Sequence, residues 1–315
     1  MSQKLYDLTG KRVWVAGHKG MVGSALVRRL RQLDCQILTV DKADLDLRNQ
    51  AEVEAWMAEN KPQAVFIAAA TVGGIQANTT RPAEFIYNNL SIAMNIIHGA
   101  HLSGAEKLMF LGSACIYPRL CEQPMVESAM LTGPLEPTNE PYALAKIAAI
   151  SLCASYRRQY GSDFISVIPT NLYGPGDNLD PAASHVVPAT IRKVAEAKEK
   201  DAPVVVWGTG SPRREFLYVE DAADAMVFLM ERYSSGDVIN IGAGEDVSVA
   251  ELTQIVGDII GFTGPLEYDT AKPDGMPKKQ VEASRLLDMG WRPNVPLRDG
   301  LRLTYDWFLQ ATGRA

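Results

Sequence analysis

Three residues of the sequence carry the groups that proton transfer to a carbonyl oxygen needs. Tyr142 and Lys146 stand four apart at the start of a stretch with helical periodicity, so both side chains share one helix face. Ser113 follows an apolar stretch typical of a strand, which places it at the carboxyl edge of the expected sheet. The phenol of tyrosine has a reference pKa of about 10, and a nearby ammonium lowers it. The set predicts a phenol that protonates a carbonyl oxygen, with the serine donating to the same oxygen. A surface Tyr and Lys on an amphipathic helix is the alternative.

A glycine-rich turn lies between the first apolar strand and the first helical stretch. Gly17, Gly20 and Gly23 are spaced three apart there. Glycine lets the backbone turn tightly and approach a pyrophosphate, whose charge is favoured at a helix N-terminus. The turn therefore predicts a dinucleotide site rather than a turn used only for packing. The predicted contacts in it are Gly17, Lys19, Gly20, Met21, Val22 and Gly23.

The choice between NAD and NADP depends on three charged residues. Asp41 ends the second strand, where a carboxylate usually binds the ribose 2′-hydroxyl and disfavours a 2′-phosphate. Lys19 and Lys42 oppose it, because both can reach a phosphate unless they are plain solvated surface. We predict NADP(H), with Asp41 and Lys42 at the end of the cofactor.

The elements that must position these residues alternate between strand and helix. Strands are predicted at residues 12–16, 36–40, 64–70, 107–112 and 164–169, and helices at 21–33, 50–59, 82–102 and 142–160. The strands are almost continuously apolar, which is typical of a parallel sheet covered on both faces. The pattern predicts an α/β fold with a doubly wound parallel sheet of the Rossmann type.

The regularity ends after Tyr173. Short strands at 204–207 and 238–241 flank a helix beginning near Val219, another helix covers 249–260, and 174–184 and 264–277 are predicted loops. We interpret this half as a smaller, partly interleaved C-terminal α/β substrate domain. The predicted cofactor domain comprises residues 1–172 and about 215–243, and the substrate domain about 173–214 and 244–315.

Composition excludes several classes of function. The 315 residues are 47% hydrophobic and 22% charged, with a formal charge of −6, which does not favour nucleic acid or an anionic membrane surface as a partner. The four cysteines have no CxxC spacing, so we expect no metal site. Residues 1–10 lack the apolar segment of a signal peptide, and the most apolar run, 65–70, is too short to span a bilayer. We therefore expect a cytoplasmic protein.

Longer blocks of sequence carry a more specific resemblance. The glycine spacing, with Ser113 and the Tyr-x-x-x-Lys pair, resembles the extended short-chain dehydrogenase/reductase family. Six blocks, spread over nearly the whole chain, resemble the GDP-L-fucose synthase family within it. They are Gly-Ser-Ala-Cys-Ile-Tyr-Pro at 112–118, Pro-Thr-Asn-Leu-Tyr-Gly-Pro at 169–175, Ser-His-Val-Val-Pro at 184–188, Val-Trp-Gly at 206–208, Arg-Glu-Phe-Leu at 214–217 and Lys-Pro-Asp-Gly at 272–275. Ala114 stands where that family usually has a second serine, but Ser113 is kept.

The resemblance implies a two-part reaction and a role for each site residue. Enzymes of that family invert C3 and C5 of GDP-4-keto-6-deoxy-mannose and then reduce the C4 ketone with NADPH. By resemblance Cys115 is the base and His185 the acid, and their reference pKa values of about 8.5 and 6.5 suit that work. The implied nucleotide-binding residues are Lys193, Trp207, Arg214, Asp274 and Lys279. The implied further cofactor contacts are Leu111, Gly112, Lys146, Pro169, Asn171 and Leu172. The family's habit implies a homodimer through the helices at 83–102 and 142–160.

Alternatives stay open at this point. A lone cysteine after a strand is often core, a lone histidine is often a loop donor, and Trp207 could simply close its strand as a core residue. A related GDP-sugar C4 reductase, or a colitose-type epimerase/reductase, would perform only part of the reaction. A catalytically silent NADP-binding regulator is disfavoured by the intact Ser113, Tyr142 and Lys146. A 4,6-dehydratase is disfavoured because Ala114 and Cys115 stand where acidic residues would be needed.

Overall fold

The computed structural model describes residues 3–181, 184–272 and 274–314. Its helices in chain order are α1 (Met21–Leu30), α2 (Gln50–Asn60), α3 (Ile75–Thr80), α4 (Pro82–Leu102), α5 (Glu140–Tyr160), α6 (Val186–Lys200), α7 (Val219–Arg232), α8 (Val249–Ile260), α9 (Ser284–Asp288) and α10 (Leu297–Thr312). Its strands are β1 (Arg12–Ala16), β2 (Gln36–Leu38), β3 (Ala64–Ile67), β4 (Lys107–Leu111), β5 (Asp163–Pro169), β6 (Asn171–Tyr173), β7 (Val204–Trp207), β8 (Arg213–Tyr218), β9 (Ile239–Ile241), β10 (Asp246–Ser248), β11 (Leu266–Asp269) and β12 (Lys278–Lys279).

Six of these strands form one parallel sheet. Their order across the sheet is β2-β1-β3-β4-β5-β9, and each neighbouring pair is parallel. The predicted doubly wound α/β fold is therefore confirmed. Because all six carboxyl ends lie at one edge, the loops that follow β1, β4 and β5 meet there, where such sheets bind ligands.

Alternation along the strands divides the interior into two apolar layers. Val13 and Val15 of β1 point to the layer covered by α1 and α7, whereas Trp14 packs in the layer covered by α2, α4 and α5. Successive side chains of a strand face opposite sides, so one short apolar strand serves both layers. The sheet is consequently buried on both faces and gives the edge loops a rigid base.

A third apolar core lies apart from the main sheet. It joins α6, α8 and α10 to the small sheet β10-β8-β12 through Ile191, Phe216, Leu252 and Phe308, among others. The strands β7 and β11 pair in a further two-stranded sheet. The helices α6 and α10 were not expected from the sequence. Within the described ranges, none of the helices combines the length and apolar character needed to cross a membrane.

Candidate active site

The glycine-rich turn after β1 is shaped by close backbone packing. Gly17 has φ +86°, and a Cβ there would lie 2.6 Å from the amide nitrogen of Ala69. A Cβ on Gly23 would lie 2.1 Å from the carbonyl oxygen of Gly17. Gly20 is the N-cap of α1 and makes no side-chain cap hydrogen bond, so it leaves the helix N-terminus open. Only glycine fits at Gly17 and Gly23, and the open helix end beside them suits a pyrophosphate.

The loop after β2 places one carboxylate against two basic side chains of the glycine-rich turn. Lys19 Nζ lies 2.6 Å from Asp41 Oδ2, and His18 Nε2 lies 3.1 Å from Oδ1. The hydrogen bond from Lys19, with the charges of Lys19 and His18, holds the pKa of Asp41 below its usual range. The neighbouring Lys42 is exposed. The carboxylate is thus paired with Lys19 at the point where the cofactor ribose is expected.

The other predicted cofactor residues line the carboxyl edge of the sheet. Leu111 ends β4, Pro169 ends β5, and Leu172 lies half-buried in β6. Gly112 is needed for packing, since a Cβ there would lie 2.5 Å from Ile168 Cδ1. Asn171 Nδ2 donates to the carbonyl oxygen of Glu215 at 2.8 Å, so its amide group ties β6 to β8.

The structure brings Ser113, Tyr142 and Lys146 together at this edge. Lys146 Nζ donates to the carbonyl oxygen of Leu111 at 2.7 Å and lies 5.6 Å from the centroid of the Tyr142 ring. Burial lowers the pKa of Lys146 to about 8. Burial also raises the pKa of Tyr142, aided by the charge of Cys115 and opposed by a hydrogen bond with Ser113. In the protein alone, desolvation of the phenolate therefore outweighs the effect expected of the nearby ammonium.

Cys115 lies in the same cluster, in contact with two polar groups. Asn139 Nδ2 is 3.2 Å and Lys279 Nζ is 3.4 Å from its sulfur atom. Burial raises the thiol pKa, but the charge of Lys279 and hydrogen bonds from Ser113 and Lys279 outweigh it, so the net pKa is lowered. A buried, inert cysteine would have a raised pKa instead. Cys115 is thus suited to act as a base.

Asn139, which was not expected from the sequence to contribute, precedes Tyr142 by three residues and is the N-cap of α5. An asparagine before a helix is usually assigned to capping, yet its side chain makes no cap hydrogen bond here. The side chain of Asn139 instead contacts the sulfur atom of Cys115. Lys279 was expected at the nucleotide end, and it lies opposite Arg214 in the β12–β8 register while its ammonium reaches Cys115.

His185 is the N-cap of α6, and its ring faces a carboxylate. Its Nδ1 lies 3.0 Å from Asp177 Oδ1. The hydrogen bond and charge of Asp177 raise the pKa of His185, although burial opposes the shift. The carboxylate of Asp177 is buried, and its Oδ2 has no hydrogen-bond partner among the residues that the structure describes. Asp177 was overlooked because the loop containing it is rich in Gly, Pro and Asp, which is typical of a plain turn.

Trp207 forms an exposed aromatic face flanked by lysines. It is 62% exposed, so it is not the core residue that the alternative reading required. Lys193 Nζ lies 4.6 Å and Lys272 Nζ 5.6 Å from its ring centroids. The carboxylate of Asp274 accepts hydrogen bonds from the backbone and side chain of Thr209 at 2.7 and 2.9 Å. Pro273, part of the same sequence block, lies outside the described residues.

Arg214 and Glu215 are adjacent residues of β8, and their side chains tie that strand to neighbouring segments. Arg214 Nη1 donates to the carbonyl oxygen of Met276 at 2.7 Å. The buried carboxylate of Glu215 accepts from the amides of Ala243, Gly244 and Val281 at 2.7, 2.9 and 2.9 Å. One carboxylate thereby fixes both the loop after β9 and the residues after β12. Within the described ranges, no three His, Cys, Asp or Glu side chains are grouped so as to hold a metal ion.

Comparison with known proteins agrees with this geometry. Residues 13–242 match the NAD dependent epimerase/dehydratase family. The chain is 56% identical to a GDP-L-fucose synthase of Sinorhizobium fredii, covering 97% of this chain and 98% of the relative. It is 48% identical to the GDP-L-fucose synthase of Escherichia coli, covering 98% and 99%. A crystal structure of a GDP-L-fucose synthetase from Naegleria fowleri bound to NADP superposes with a TM-score of 0.92 at 29% identity, covering 100% of this chain and 97% of that one.

The fold and the site define an enzyme, and the chain belongs to the NAD dependent epimerase/dehydratase family. Within that family it is similar to GDP-L-fucose synthases over nearly its whole length.

Proposed function

We propose that the protein is an NADPH-dependent epimerase/reductase that converts GDP-4-keto-6-deoxy-D-mannose to GDP-L-fucose. The observation that carries this proposal is the position of Cys115. A thiol with a lowered pKa lies in the same cluster as Ser113, Tyr142 and Lys146. A plain C4 reductase has no use for such a base. An enzyme that first moves protons on the carbons beside the ketone and then reduces the ketone needs the base and the reductive residues in one pocket.

The epimerisation uses the acidity of hydrogens beside the C4 ketone. The Cys115 thiolate removes the proton from C3 or C5, and the electron pair of the C–H bond moves into an enolate whose negative oxygen is O4. The hydroxyls of Ser113 and Tyr142 donate hydrogen bonds to that oxygen. His185 returns a proton to the carbon from the opposite face, which inverts it. Asn139 holds the cysteine sulfur in place between the two steps.

The reduction uses the same oxygen and the same donors. NADPH, when bound at the glycine turn, supplies the hydride to C4. Tyr142 gives its phenolic proton to O4, and its raised pKa ensures that the phenol carries that proton at neutral pH. The pKa of Lys146 is lowered to about 8, and its ammonium lies 5.6 Å from the centroid of the Tyr142 ring. Its positive charge stabilises the phenolate that forms when Tyr142 gives up its proton. The sugar need not leave between the two parts of the reaction.

NADP(H) is the proposed cofactor, and GDP is the proposed nucleotide of the substrate. Lys19 and Lys42 would bind the 2′-phosphate of the cofactor, with the charge of Asp41 already offset by Lys19. At the other end Trp207 offers an open face for the guanine, and Lys193 and Arg214 supply positive charge for the diphosphate.

We also propose a homodimer formed through α4 and α5. Tyr87, Met94 and Leu102 of α4 and Leu144 and Tyr160 of α5 are 66, 52, 58, 43 and 54% exposed, an unusual concentration of large apolar side chains on two adjacent helices. Light scattering after size exclusion tests it, with Met94→Lys expected to yield monomers. A dimeric Met94→Lys variant would contradict this interface.

The domain division and the compartment are further inferences. A substrate domain covering about 173–214 and 244–315 matches most of the third core. Phe216, from the segment assigned to the cofactor domain, also belongs to that core, and Leu286 and Trp291 of the substrate range pack with the main sheet. The cysteines Cys35, Cys115, Cys121 and Cys153 are all unpaired, which supports the reducing environment of the cytoplasm.

The central experiment separates the two parts of the reaction. The Cys115→Ser enzyme, incubated with GDP-4-keto-6-deoxy-mannose and NADPH in D₂O, should lose deuterium incorporation at C3 and C5, because a serine hydroxyl is far less acidic than a thiol. It should still reduce the unepimerised ketone slowly. Cys121→Ser is the matched control. Burial raises the pKa of the Cys121 thiol, so this cysteine is not suited to act as a base and its variant should behave as wild type.

Mass spectrometry and NMR of the product sugar give the result directly. Wild-type incorporation by Cys115→Ser would show that the cysteine is structural, and the plain C4 reductase would then be the better assignment.

A further inference from the structure

The environment of Asp177 is unusual for a residue in a surface loop. Its side chain is only 3% exposed, and Oδ1 accepts two hydrogen bonds, from the amide of Asn178 at 2.7 Å and from His185 Nδ1 at 3.0 Å. Oδ2 is buried, and no residue in the described ranges hydrogen-bonds to it. A carboxylate that is desolvated and only partly satisfied is costly to the fold. Such a group calls for an explanation in the site beside it.

The carboxylate determines which nitrogen of His185 can exchange a proton. Asp177 Oδ1 can only accept, so Nδ1 carries the hydrogen between them, and Nε2 is left as the nitrogen that gains or loses a proton. His185 is the N-cap of α6 but makes no cap hydrogen bond with its side chain, so the ring is oriented by Asp177 and not by the helix. The hydrogen bond with Asp177 and its charge raise the pKa of His185 against the effect of burial.

The loop that carries Asp177 is held against the cofactor turn. Gly176 has φ +90°, and a Cβ there would lie 3.4 Å from Met21 Cα at the start of α1. The Asp177 amide donates to the carbonyl oxygen of Gly174 at 3.3 Å. The carboxylate is therefore fixed to the rigid end of the main sheet, and through it the ring of His185 is too.

We propose that Asp177 is the positioning residue that orients His185 and keeps it protonated for the return of a proton to the sugar. The inference rests on the proposed function, in which His185 is the acid. In the step, the Nε2–H bond breaks, a C–H bond forms at C3 or C5 from the enolate electron pair, and the C4 carbonyl reforms. The neutral imidazole that remains keeps its Nδ1 hydrogen on Asp177.

The test compares Asp177→Asn with Asp177→Ala and the matched control Glu196→Gln. Asparagine keeps the size of the side chain and removes its charge, and alanine removes both. Glu196 is an acidic residue on α6 whose carboxylate lies 4.0 Å from Arg192 and from Lys200, away from His185. Two rates are measured against pH: deuterium incorporation at C3 and C5, and single-turnover oxidation of GDP-L-fucose by NADP⁺, which needs no proton transfer at those carbons.

In Asp177→Asn we expect incorporation to fall about tenfold or more at neutral and alkaline pH and to approach the wild-type rate as the pH is lowered. Asp177→Ala should lose incorporation at every pH. Oxidation of GDP-L-fucose should change little in both, and Glu196→Gln should match wild type in both assays. Superimposable pH profiles for wild type and Asp177→Asn would overturn the proposal. An equal loss of both rates, or an equal shift in Glu196→Gln, would overturn it as well.

A His185→Gln enzyme measured in parallel separates this proposal from the one beneath it. If His185→Gln incorporates deuterium at the wild-type rate, His185 is not the acid and the proposed function fails at that step. If it loses incorporation while Asp177→Asn retains the wild-type profile, only the positioning role of Asp177 is refuted.

Discussion

Lys279 should control how readily Cys115 ionises. Its Nζ lies 3.4 Å from the sulfur, and its charge is the largest influence that lowers the pKa of this thiol against the effect of burial. Lys279→Met keeps the length and apolar body of the side chain and removes only the ammonium. The thiolate of Cys115 would then lose its nearest compensating charge. We expect alkylation of Cys115 at neutral pH to slow markedly in this variant.

The separation of the two groups sets the size of the effect. For unit charges 3.4 Å apart, Coulomb's law with an effective dielectric of about 20 gives roughly 5 kcal/mol. Lys279 is half-exposed, so solvent screening reduces this considerably. A remainder of about 1.4–3 kcal/mol corresponds to a ten- to hundredfold smaller thiolate fraction at fixed pH. At alkaline pH the order should reverse slightly, because a less acidic thiol gives a more nucleophilic thiolate.

Iodoacetamide labelling resolved by peptide mass spectrometry measures the rate at each cysteine separately. Cys121 serves as an internal control, since burial raises the pKa of its thiol. Lys278→Met is the matched control, because Lys278 Nζ pairs with Asp246 at 2.8 Å. Unchanged neutral-pH labelling of Cys115 in Lys279→Met would refute the argument, as would an equal loss in Lys278→Met.

Three further predictions concern the reductive centre and the cofactor turn. Tyr142→Phe should lower the rate of reduction by about 10²–10⁴-fold with nearly unchanged cofactor affinity, and a variant keeping more than about a tenth of the wild-type kcat would contradict its role. The wild-type kcat/KM should be several-fold higher for NADPH than for NADH, and Asp41→Ala should widen the difference by freeing Lys19; steady-state preference for NADH would show that Asp41 dominates. Gly23→Ala should destabilise the fold by about 1–3 kcal/mol, because its Cβ would meet the Gly17 carbonyl at 2.1 Å, whereas Gly20→Ala, at 3.5 Å from the same oxygen, should not; equal thermal unfolding midpoints would oppose this reasoning.

The elements predicted most accurately are those with local start and stop features. The helix α8 has the bounds expected from the sequence because Ser248 and Glu251 form a capping box and Gly261 ends it with φ +72°. The helices α6 and α10 lack such features. Their N-caps are His185 and Pro296, and neither side chain caps the helix, so their apolar stripes were overlooked. Helix formation there depends on the third core, a tertiary effect that a local pattern does not carry.

The residues of the site also divide into those that could be placed from the sequence and those that could not. Ser113, Tyr142 and Lys146 could be placed together because sheet topology brings a strand end and a helix start to one edge. Residues that contact these groups but lie far away in the sequence could not be placed. Lys279, for example, is 164 positions from Cys115 in the chain. The raised pKa of Tyr142 in the protein alone could not be anticipated for a related reason. Charge partners are visible in a sequence, but the degree of burial that opposes them is not.

The pairing of β12 with β8 has a consequence for how substrate binding is used. Lys279 and Arg214 are register partners, so the cation that contacts the sulfur and the cation proposed for the diphosphate belong to one pair of adjacent backbones. A ligand bound at Arg214 would therefore contact the strand that pairs with the one carrying Lys279. A keto-sugar that lacks its nucleotide should be turned over more slowly as well as bound more weakly. Binding energy from the diphosphate contacts would otherwise help to orient the base at the reacting carbons.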